Sequence, residues 1–239
     1  MNFSLIISVY NNPKNVSKML DNLDINCPNI DVHIVDNKSM EETKNILLNW
    51  NKKDHSFKCT LDLLDKNHGK ATAINFAINK YELYEKAVVV CMDGDILFTK
   101  EDINKLIKFV GGVKNCGMIS LDYEGSPKIA YGDMENYSVE GESFVLERYR
   151  DIYNVAGGIY CVQGEYIRNN DCKIYTYDEK KAYWSEDAWI YKNMVKKGRV
   201  CGYLKNTKAI HLGDDEEKYS LWKLHVLTRN NGSNKGFYD

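Results

Sequence analysis

The sequence predicts an α/β fold in which a mainly parallel sheet is flanked by helices. Over the first hundred residues, short apolar runs alternate with longer amphipathic stretches. Strands and helices that alternate in this way imply right-handed crossovers between parallel strands. One run, 87–92 (AVVVCM), is apolar without any polar alternation, as is typical of a central strand covered on both faces. We therefore expect a Rossmann-like sheet with 87–92 near its centre.

The first part of the chain is expected to hold four strands separated by three helices. Pro13 suits the first position of a helix, because the N–H that proline lacks would be unpaired there anyway. Four apolar residues give that helix one buried face. The predicted strands are 3–9, 32–35, 59–64 and 87–92. The predicted helices are one that begins at Pro13, one at 41–50 and one from about 70 to 83, and the apolar face of the first is Val16, Met19, Leu20 and Leu23.

After about residue 112 the pattern changes to shorter, more aromatic segments punctuated by glycine. Segments of this kind predict a mixed or antiparallel extension of the sheet, and Gly198 is expected to end a helix as its C-cap. The tail 230–239 is rich in helix-breaking residues and is predicted to be mobile. The predicted elements are strands at 117–123, 143–149, 155–162, 200–204 and 208–212, and helices at 186–197 and 217–229.

Composition and charge narrow the class of protein. The 239 residues are 44% hydrophobic and 28% charged, which is ample for the core of a single large domain. The net charge of −2 argues against a protein that binds nucleic acid by charge alone. Neither a Gly-rich dinucleotide fingerprint nor a Walker-type phosphate loop is present in the sequence, so a Rossmann dehydrogenase or a P-loop enzyme is not expected.

Cysteine usage and hydropathy predict the compartment. The seven cysteines are widely spread, form no Cys-x-x-Cys pair and mostly lie in apolar runs, so we expect reduced, buried thiols. The apolar run 3–9 lacks the length and the basic start of a signal peptide, and no segment approaches the roughly 20 apolar residues of a membrane span. These features predict a soluble, cytoplasmic protein.

Polar clusters follow three of the predicted strands, at the edge where parallel sheets bind ligands. They are Tyr10-Asn11, Asp36-Asn37 and Asp93-Gly94-Asp95. The two carboxylates of the third cluster would repel each other without a cation, and Mg²⁺ or Mn²⁺ would relieve that repulsion and bridge to a diphosphate. The alternative is an ordinary acidic turn, since Asp-Gly is common in turns.

Further candidates each have a structural alternative. Asp36 is placed to accept hydrogen bonds from a base or ribose, or to cap a helix. Lys70, after Gly69, is placed to meet a phosphate, or simply to open a helix. His211 is a candidate nitrogen ligand for a metal held by Asp95, or a solitary polar residue. The pair 186–187 begins a helix, where acidic residues are favoured in any case.

In order along the chain, these segments resemble the family 2 glycosyltransferases, an inverting group with the GT-A fold. The opening strand 4–11 is similar to the family's nucleoside-binding turn, and 34–39 to its uracil-contacting segment. Segment 67–75 resembles the donor-site loop, and Asp93-Gly94-Asp95 the metal and diphosphate motif. The glycines at 157–158 resemble an acceptor-side pair, 186–187 the acidic pair with the base, and His211 the late metal ligand.

The resemblance implies different roles for the two halves of the chain. Residues 1–95 would form the nucleotide-sugar half and 96–229 the acceptor half of one fused domain, with Mn²⁺ or Mg²⁺ as cofactor. Asp187 would be the catalytic base. The implied donor-binding residues are Val9, Tyr10, Asn11, Asp36, Asn67, Gly69, Lys70, Asp93 and Gly94, the metal ligands Asp93, Asp95 and His211, and the acceptor-binding residues Gly157, Gly158, Trp184 and Glu186.

Departures from the family pattern leave the donor base and the acceptor open. Ser8 stands where the family often has proline, and 38–41 (KSME) replaces Gly-Ser-Thr-Asp. No Gln-x-x-Arg-Trp motif is present, which argues against a processive synthase. A UDP-sugar is the expected donor. Bacterial glycans, lipid-linked sugars, proteins and a hydroxymethylated DNA base in a phage-infected cell stay open as acceptors. The alternative classes are a sugar nucleotidyltransferase and an inactive nucleotide-sugar-binding module.

Overall fold

The computed structural model describes residues 3–123, 132–149, 157–175 and 186–213. The first part of the chain alternates strands and helices as expected, and α3 is followed by a short 3₁₀ turn at Leu83–Glu85. The elements are β1 (Phe3–Val9), α1 (Pro13–Asn26), β2 (Asp31–Asp36), α2 (Glu41–Asn51), β3 (Cys59–Leu63), α3 (Lys70–Lys80) and β4 (Val88–Asp93). All four predicted strands and all three predicted helices of this part are confirmed.

Among the described residues, the second part adds six strands and three further helices. They are β5 (Ile96–Phe98), α4 (Lys100–Gly112), β6 (Cys116–Tyr123), β7 (Met134–Val139), β8 (Glu142–Arg148), β9 (Ile159–Gln163), α5 (Gly164–Arg168), α6 (Glu186–Lys196) and β10 (Val200–His211). The predicted helix 217–229 and the predicted mobile tail 230–239 lie outside the described residues.

The strands form one mixed sheet with the order β3-β2-β1-β4-β9-β6-β10-β8-β7, and β5 pairs with β10. The run from β3 to β4 is parallel, and so is the pair β6–β10. The remaining pairs are antiparallel. The predicted α/β class is confirmed, and the antiparallel strands are confined to the second part, where the sequence pattern changes.

Helices cover both faces of the central strands. Alternate residues of β1 point to opposite faces, so Leu5 and Ile7 pack in one core cluster with α1, α2 and α4, while Ile6 packs in a second with α3, α5 and α6. Residues 88–92 of β4 are fully buried. Strands covered on both sides explain why 87–92 carries no polar alternation.

Two predictions of element bounds were wrong. The predicted strands 200–204 and 208–212 are a single strand, β10, with a change of register against β6 between Leu204 and Ala209. Asn206 within that irregularity has a left-handed φ of 59°, so a bulge rather than a turn separates the two apolar runs. The segment after Lys80 leaves the α-helix before Leu83, which lies in the 3₁₀ turn.

Every cysteine of the sequence lies in the described residues, and all seven are free thiols. Five are buried, and Cys59 and Cys172 are half-buried. Burial raises the pKa of the Cys91 thiol to about 12, so this thiol is held protonated and unreactive. The expectation of reduced, mostly buried thiols is confirmed. Among the described residues, no helix is long and apolar enough to span a membrane.

Burial of His33 on β2 makes the stability of the fold depend on pH. The side chain is buried, its Nδ1 lies 2.9 Å from Thr60 Oγ1, and its ring stacks on Tyr81 at 4.3 Å between centroids. Burial lowers the pKa of His33 from 6.5 to about 4, an effect that Asp31 opposes. The folded chain therefore binds fewer protons than the unfolded chain between these two values.

We expect this histidine to destabilise the fold as the pH falls from 6.5 to 4. The contribution of neutral His33 to the free energy of unfolding is fully present above pH 6.5, the unfolded pKa, and is lost as the pH falls to 4. At about 1.4 kcal/mol per pKa unit, the loss is roughly 3 kcal/mol. Urea unfolding at pH 7 and pH 4.5 would measure it. Carboxyl groups add their own acid dependence, so the informative quantity is the difference from His33→Phe, which keeps the stacking. An equal loss in both proteins would contradict the assignment.

Candidate active site

Three parallel strands bring their carboxyl ends to one edge of the sheet. β1, β2 and β4 end at Val9, Asp36 and Asp93, and their ends are in register: Val9 pairs with Asp36, and Ser8 pairs with Asp93. The three polar clusters predicted to meet at this edge therefore do so.

The loops after β1 and β2 are joined by side-chain hydrogen bonds. Asn11 N donates to Ser39 Oγ at 2.7 Å, and Asn11 Oδ1 accepts from Met40 N at 2.7 Å. Asn11 has a left-handed φ of 54°, a conformation that asparagine tolerates better than most residues. Tyr10 lies in the same loop and is half-buried. The first loop is thus held in one shape against the second.

Asp36 orders its own turn rather than capping α2. Its Oδ1 accepts from Ser39 N at 3.1 Å, and the residue at the N-cap of α2 is Met40, which makes no side-chain cap. Burial raises the pKa of Asp36, and the hydrogen bonds from Ser39 oppose that rise. The capping alternative is wrong for Asp36.

The loop before α3 is fixed by two asparagines. Asn37 Nδ2 donates to Asn67 Oδ1 at 2.7 Å, and the same oxygen accepts from Gly69 N at 2.9 Å. Asn37 Oδ1 in turn accepts from His68 N at 2.8 Å. Gly69 is the N-cap of α3, with a φ of 80° that favours glycine. This arrangement sets the direction in which α3 begins.

Lys70, the first residue of α3, reaches into the centre of the site. Its Nζ lies 2.8 Å from Asp93 Oδ1 and 3.6 Å from Asp187 Oδ2, and it donates to Gly157 O at 2.6 Å. A side chain that only opened a helix would not cross to two other elements. The simple capping alternative therefore does not describe Lys70.

The pKa of the Asp93 carboxyl group is raised towards neutral pH. Desolvation raises its pKa to about 6, Lys70 opposes the rise, and the carboxylates of Asp95 and Asp187 add to it. About a third of the side chain, 31%, is exposed. An acidic cluster of this kind attracts cations, and Lys70 is the cation that meets Asp93 in the structure.

Asp187 faces the same centre from the first turn of α6. Its Oδ1 accepts from Tyr175 Oη at 3.1 Å. A Cβ added to Gly157 would lie 1.7 Å from Asp187 Oδ2, so only glycine allows the carboxylate to approach the backbone here. Helix capping alone does not account for a side chain that meets Tyr175 and Lys70.

The second glycine of the pair packs against an aromatic residue. A Cβ on Gly158 would lie 2.8 Å from Tyr123 Oη, which accepts from Ile159 N at 2.6 Å. Gly158 O accepts from Asp93 N at 2.8 Å. Both glycines therefore allow close packing beside the acidic cluster.

Asp95 and His211 form a second pair beside the first cluster. His211 Nε2 lies 3.2 Å from Asp95 Oδ2, and the backbone supports the approach because Leu212 N donates to Asp95 O at 3.0 Å. The histidine is 49% exposed. Asn12 and Asn15 also donate from Nδ2 to Gly213 O, at 2.9 and 2.8 Å. The end of β10 is thereby attached to the loop after β1.

Two of the three predicted metal ligands are brought together, but the third is not. Within the described ranges, no three His, Cys, Asp or Glu side chains are grouped closely enough to hold a metal ion. Asp93 is directed at Lys70 instead of completing a trio with Asp95 and His211. In the described part of the chain, Asp95 and His211 are thus the two predicted ligands that meet.

Several predicted site residues present little side chain to a ligand or lie outside the description. The side chain of Val9 is fully buried, and a Cβ on Gly94 would lie 3.1 Å from it, so Val9 offers a ligand only its backbone. Trp184 lies outside the described residues, and of Glu186 only the backbone at the start of α6 is described.

Sequence reasoning missed the hydrogen-bond partners of Asp187 and Asn75. Tyr175 is one of 17 tyrosines and carries no motif. Asn75 was noted only within the segment 67–75, yet its Oδ1 accepts from Ile174 N at 3.1 Å and its Nδ2 donates to Tyr175 O at 2.8 Å. The contacts of Asn75 join residues about a hundred positions apart and leave no local pattern, whereas Tyr175 lies only 12 positions before Asp187 and is simply not marked by a motif.

Comparison with solved structures shows the GT-A glycosyltransferase fold. A mannosyltransferase from Pyrobaculum calidifontis, PcManGT, solved with GDP-Man and Mn²⁺, is 16% identical, with a TM-score of 0.68 over 97% of this chain and 61% of that one. Residues 1–349 of TarS from S. aureus are 19% identical, with a TM-score of 0.62 over 97% of this chain and 66% of that one.

A third similar structure is glucosyl-3-phosphoglycerate synthase from Mycobacterium tuberculosis, solved with Mn²⁺, UDP and glucosyl-3-phosphoglycerate. It is 10% identical, with a TM-score of 0.57 over 96% of this chain and 76% of that one. The chain thus spans about three fifths to three quarters of the length of these structures. No curated protein matches it in sequence.

A family model described as glycosyl transferase family 2 matches residues 4–171, more than half of the 239 residues. The chain belongs to that family, and the resemblance read from its motifs is confirmed. The match ends before α6 and β10, so Asp187 and His211 lie beyond it. Their assignment depends on the geometry described above.

Proposed function

We propose that this domain transfers a sugar from a nucleoside-diphosphate sugar to an acceptor hydroxyl with inversion at the anomeric carbon. The observation that carries the proposal is the meeting of Lys70, Asp93 and Asp187 at the carboxyl edge of the sheet, beside the pair Asp95–His211. The Lys70 cation, the Asp93 carboxyl group with its raised pKa and the Asp187 carboxylate suit the binding of a diphosphate and the removal of a proton.

The donor would occupy the loops of the first half, residues 1–95, and the acceptor would be bound by 96–229. Asn11, Asp36 and Asn67 fix loops at the edge where the nucleoside would lie. Lys70 supplies a positive charge for the diphosphate. We assign a UDP-sugar as the donor, although one of the similar structures was solved with GDP-Man and another with UDP.

The residues at the end of β10 fit a divalent metal. Asp95 offers a carboxylate oxygen and His211 an imidazole nitrogen, within 3.2 Å of each other, and Mn²⁺ accepts both kinds of ligand. Diphosphate oxygens and water would complete its coordination, with Asp93 next to them on the same turn. When bound, Mn²⁺ or Mg²⁺ would neutralise the negative charge that develops on the departing diphosphate.

The chemical step assigned to this chain's own residues is a single displacement. Asp187 removes the proton of the acceptor hydroxyl, and the acceptor oxygen forms a bond to the anomeric carbon. The bond from that carbon to the diphosphate oxygen breaks, and its electron pair leaves with the nucleoside diphosphate. Entry and departure on opposite faces of the sugar give inversion.

For the acceptor we propose several classes of molecule rather than one. A bacterial glycan, a lipid-linked sugar or a protein suits a chain with a net charge of −2. A hydroxymethylated DNA base would need a basic surface for phosphates. Lys218, Lys223, Arg229 and Lys235, the residues considered for that role, follow an acidic run at 214–217 and lie outside the described residues. We place the domain in the cytoplasm, a compartment that its seven free thiols support.

Both rival classes of function are weaker. A sugar nucleotidyltransferase would use a Gly-rich, Arg-bearing opening loop, and the loop after β1 is Tyr10-Asn11-Asn12 instead. An inactive binding module has no need of a carboxylate in a place where only glycine leaves room for it, as Asp187 has beside Gly157. The family match also favours a glycosyltransferase.

A thermal-shift screen tests the proposal directly. UDP-glucose, UDP-N-acetylglucosamine and GDP-mannose would each be added with and without Mn²⁺. A true donor at a hundred times its dissociation constant stabilises the fold by about 2.7 kcal/mol, which is several degrees in a domain of this size. We expect at least one nucleotide sugar to raise the melting temperature, and more so with Mn²⁺. No shift with any of them at millimolar concentration would overturn the proposal.

A further inference from the structure

Behind Asp187 lies a buried chain of hydroxyl groups that the proposed reaction does not use. Tyr175 Oη lies 3.1 Å from Asp187 Oδ1, and Tyr160 Oη lies 2.5 Å from Tyr175 Oη. The two tyrosines are 2% and 0% exposed. Tyr160 itself is paired across the sheet with Cys91 on the central strand β4. The chain thus runs from the site into the core.

The direction of these hydrogen bonds follows from the number of protons available. A carboxylate only accepts, so Tyr175 donates its single hydroxyl proton to Asp187. Tyr175 Oη must then accept from Tyr160 Oη. Burial holds the pKa of Tyr160 well above its ordinary value, so its hydroxyl keeps the proton that it donates.

The backbone that carries Tyr175 is itself held by α3. Asn75 uses both ends of its side-chain amide: Oδ1 accepts from Ile174 N at 3.1 Å and from Tyr175 N at 3.3 Å, and Nδ2 donates to Tyr175 O at 2.8 Å. The same helix places Lys70 in the site. Helix α3 therefore fixes both the cation near Oδ2 of Asp187 and the tyrosine at Oδ1.

We propose that Tyr175 is a positioning residue, which holds the carboxylate of Asp187 in the orientation that removes the acceptor proton, and that Tyr160 and Asn75 hold Tyr175. The inference depends on the proposed function, since it assigns a partner to the proposed base. With Oδ1 occupied by Tyr175, the oxygen directed toward Lys70 and the acceptor side is Oδ2. Misplacing a reacting group by about 1 Å can cost about a hundredfold in rate.

Kinetics of a Tyr175→Phe variant test this role. The variant keeps the ring in the core and removes only the hydroxyl. Hydrolysis or transfer would be followed with whichever of UDP-glucose, UDP-N-acetylglucosamine and GDP-mannose the wild type turns over. We expect kcat to fall about tenfold or more, the loss expected for one hydrogen bond to a charged group, with KM for the donor unchanged. Tyr160→Phe should give a smaller fall of the same kind.

Tyr166→Phe is the matched control. Tyr166 on α5 is also buried, and its hydroxyl has no hydrogen-bond partner in the part of the chain that the structure describes. Its removal is expected to leave kcat unchanged. If Tyr175→Phe lowers kcat no more than Tyr166→Phe, or raises KM in proportion, the positioning role is wrong. In an Asp187→Ala background, the loss of the Tyr175 hydroxyl should have no further effect, and an additive loss would contradict the coupling.

Crystal structures without ligand give a readout that needs no turnover. In Tyr175→Phe we expect the Asp187 carboxylate to rotate away or to occupy two conformations, whereas Tyr166→Phe should leave it in place. An unchanged single conformation in Tyr175→Phe would overturn the inference, even in an active enzyme. If the wild type turns over no nucleotide sugar, the proposed function fails, and these structures still decide whether Tyr175 orients Asp187.

Discussion

Replacing Asp187 with asparagine is expected to lower the rate of sugar transfer by at least about a hundredfold, while the affinity for the donor stays within about twofold of wild type. General-base catalysis contributes about 10²–10⁴ to a rate, and an amide cannot take the proton. Binding should survive because the donor contacts proposed above come from other loops. Steady-state rates and a calorimetric titration with the donor would measure the two effects separately.

Glu101→Gln is a matched control for this substitution. Glu101 is an exposed acidic residue in the first turn of α4, so the change removes a negative charge from a helix N-terminus just as Asp187→Asn does, but outside the site. Loss of the favourable interaction with the helix dipole costs each protein about 0.3–1 kcal/mol of stability. Turnover retained by Asp187→Asn would disprove the base assignment. A comparable loss of turnover in both variants would indicate that losing a negative charge at a helix N-terminus, rather than losing the Asp187 carboxylate, lowers the rate.

The sheet was predictable because its strands and helices have local periodicity. Val16, Met19, Leu20 and Leu23 repeat at helical spacing and are all buried in α1. The apolar run of β4 indicated a strand with two covered faces. The same reasoning had the means to find α4, where Ile103, Leu106, Ile107 and Val110 recur at three- and four-residue spacing and are buried, but it left that segment unassigned.

The site was predictable only as far as topology determines it. Because β1, β2 and β4 are parallel, polar residues after each of them must meet at one edge, and this placed Asp36 and Asp93 correctly. What lies opposite them could not be derived. Lys70 contacts Gly157 and Asp187, which come 87 and 117 positions later, and nothing in the local sequence states such a pairing. The same reason hid the contact between Asn75 and Tyr175.

The predicted metal ligands show more clearly how far sequence reasoning can go. An Asp-x-Asp turn and a late histidine suggest three ligands of equal standing, whereas the structure pairs Asp95 with His211 and gives Asp93 to Lys70. The carboxylates differ because they have different neighbours: Lys70 projects from α3 toward one of them, and β10, which pairs with β5, brings His211 to the other. Spacing within a motif does not reveal which carboxylate a distant cation will choose.

Removing His211 should therefore affect the metal more than the fold. For His211→Ala, we expect the Mn²⁺ concentration that gives half-maximal stabilisation with UDP to rise by at least about tenfold, because one of the two ligands proposed among the described residues is lost and substitutions even behind a metal ligand cost about 10–100-fold. Asp95→Asn should give a similar shift. Thermal shift with UDP and a Mn²⁺ titration measures the effect without any acceptor.

A second histidine–carboxylate pair serves as a control that distinguishes a metal ligand from a histidine that only contacts a carboxylate. His55 Nδ1 lies 3.0 Å from Asp24 Oδ1, and its ring packs against Trp50 at 4.0 Å between centroids. His55→Ala removes a pair of the same chemistry, so it should lower the melting temperature without moving the Mn²⁺ midpoint. If His211→Ala behaves like His55→Ala, the contact between His211 and Asp95 is structural. A midpoint that moves only for His211 and Asp95 would place the metal at the end of β10, where the diphosphate of a bound donor supplies the ligands that the chain does not.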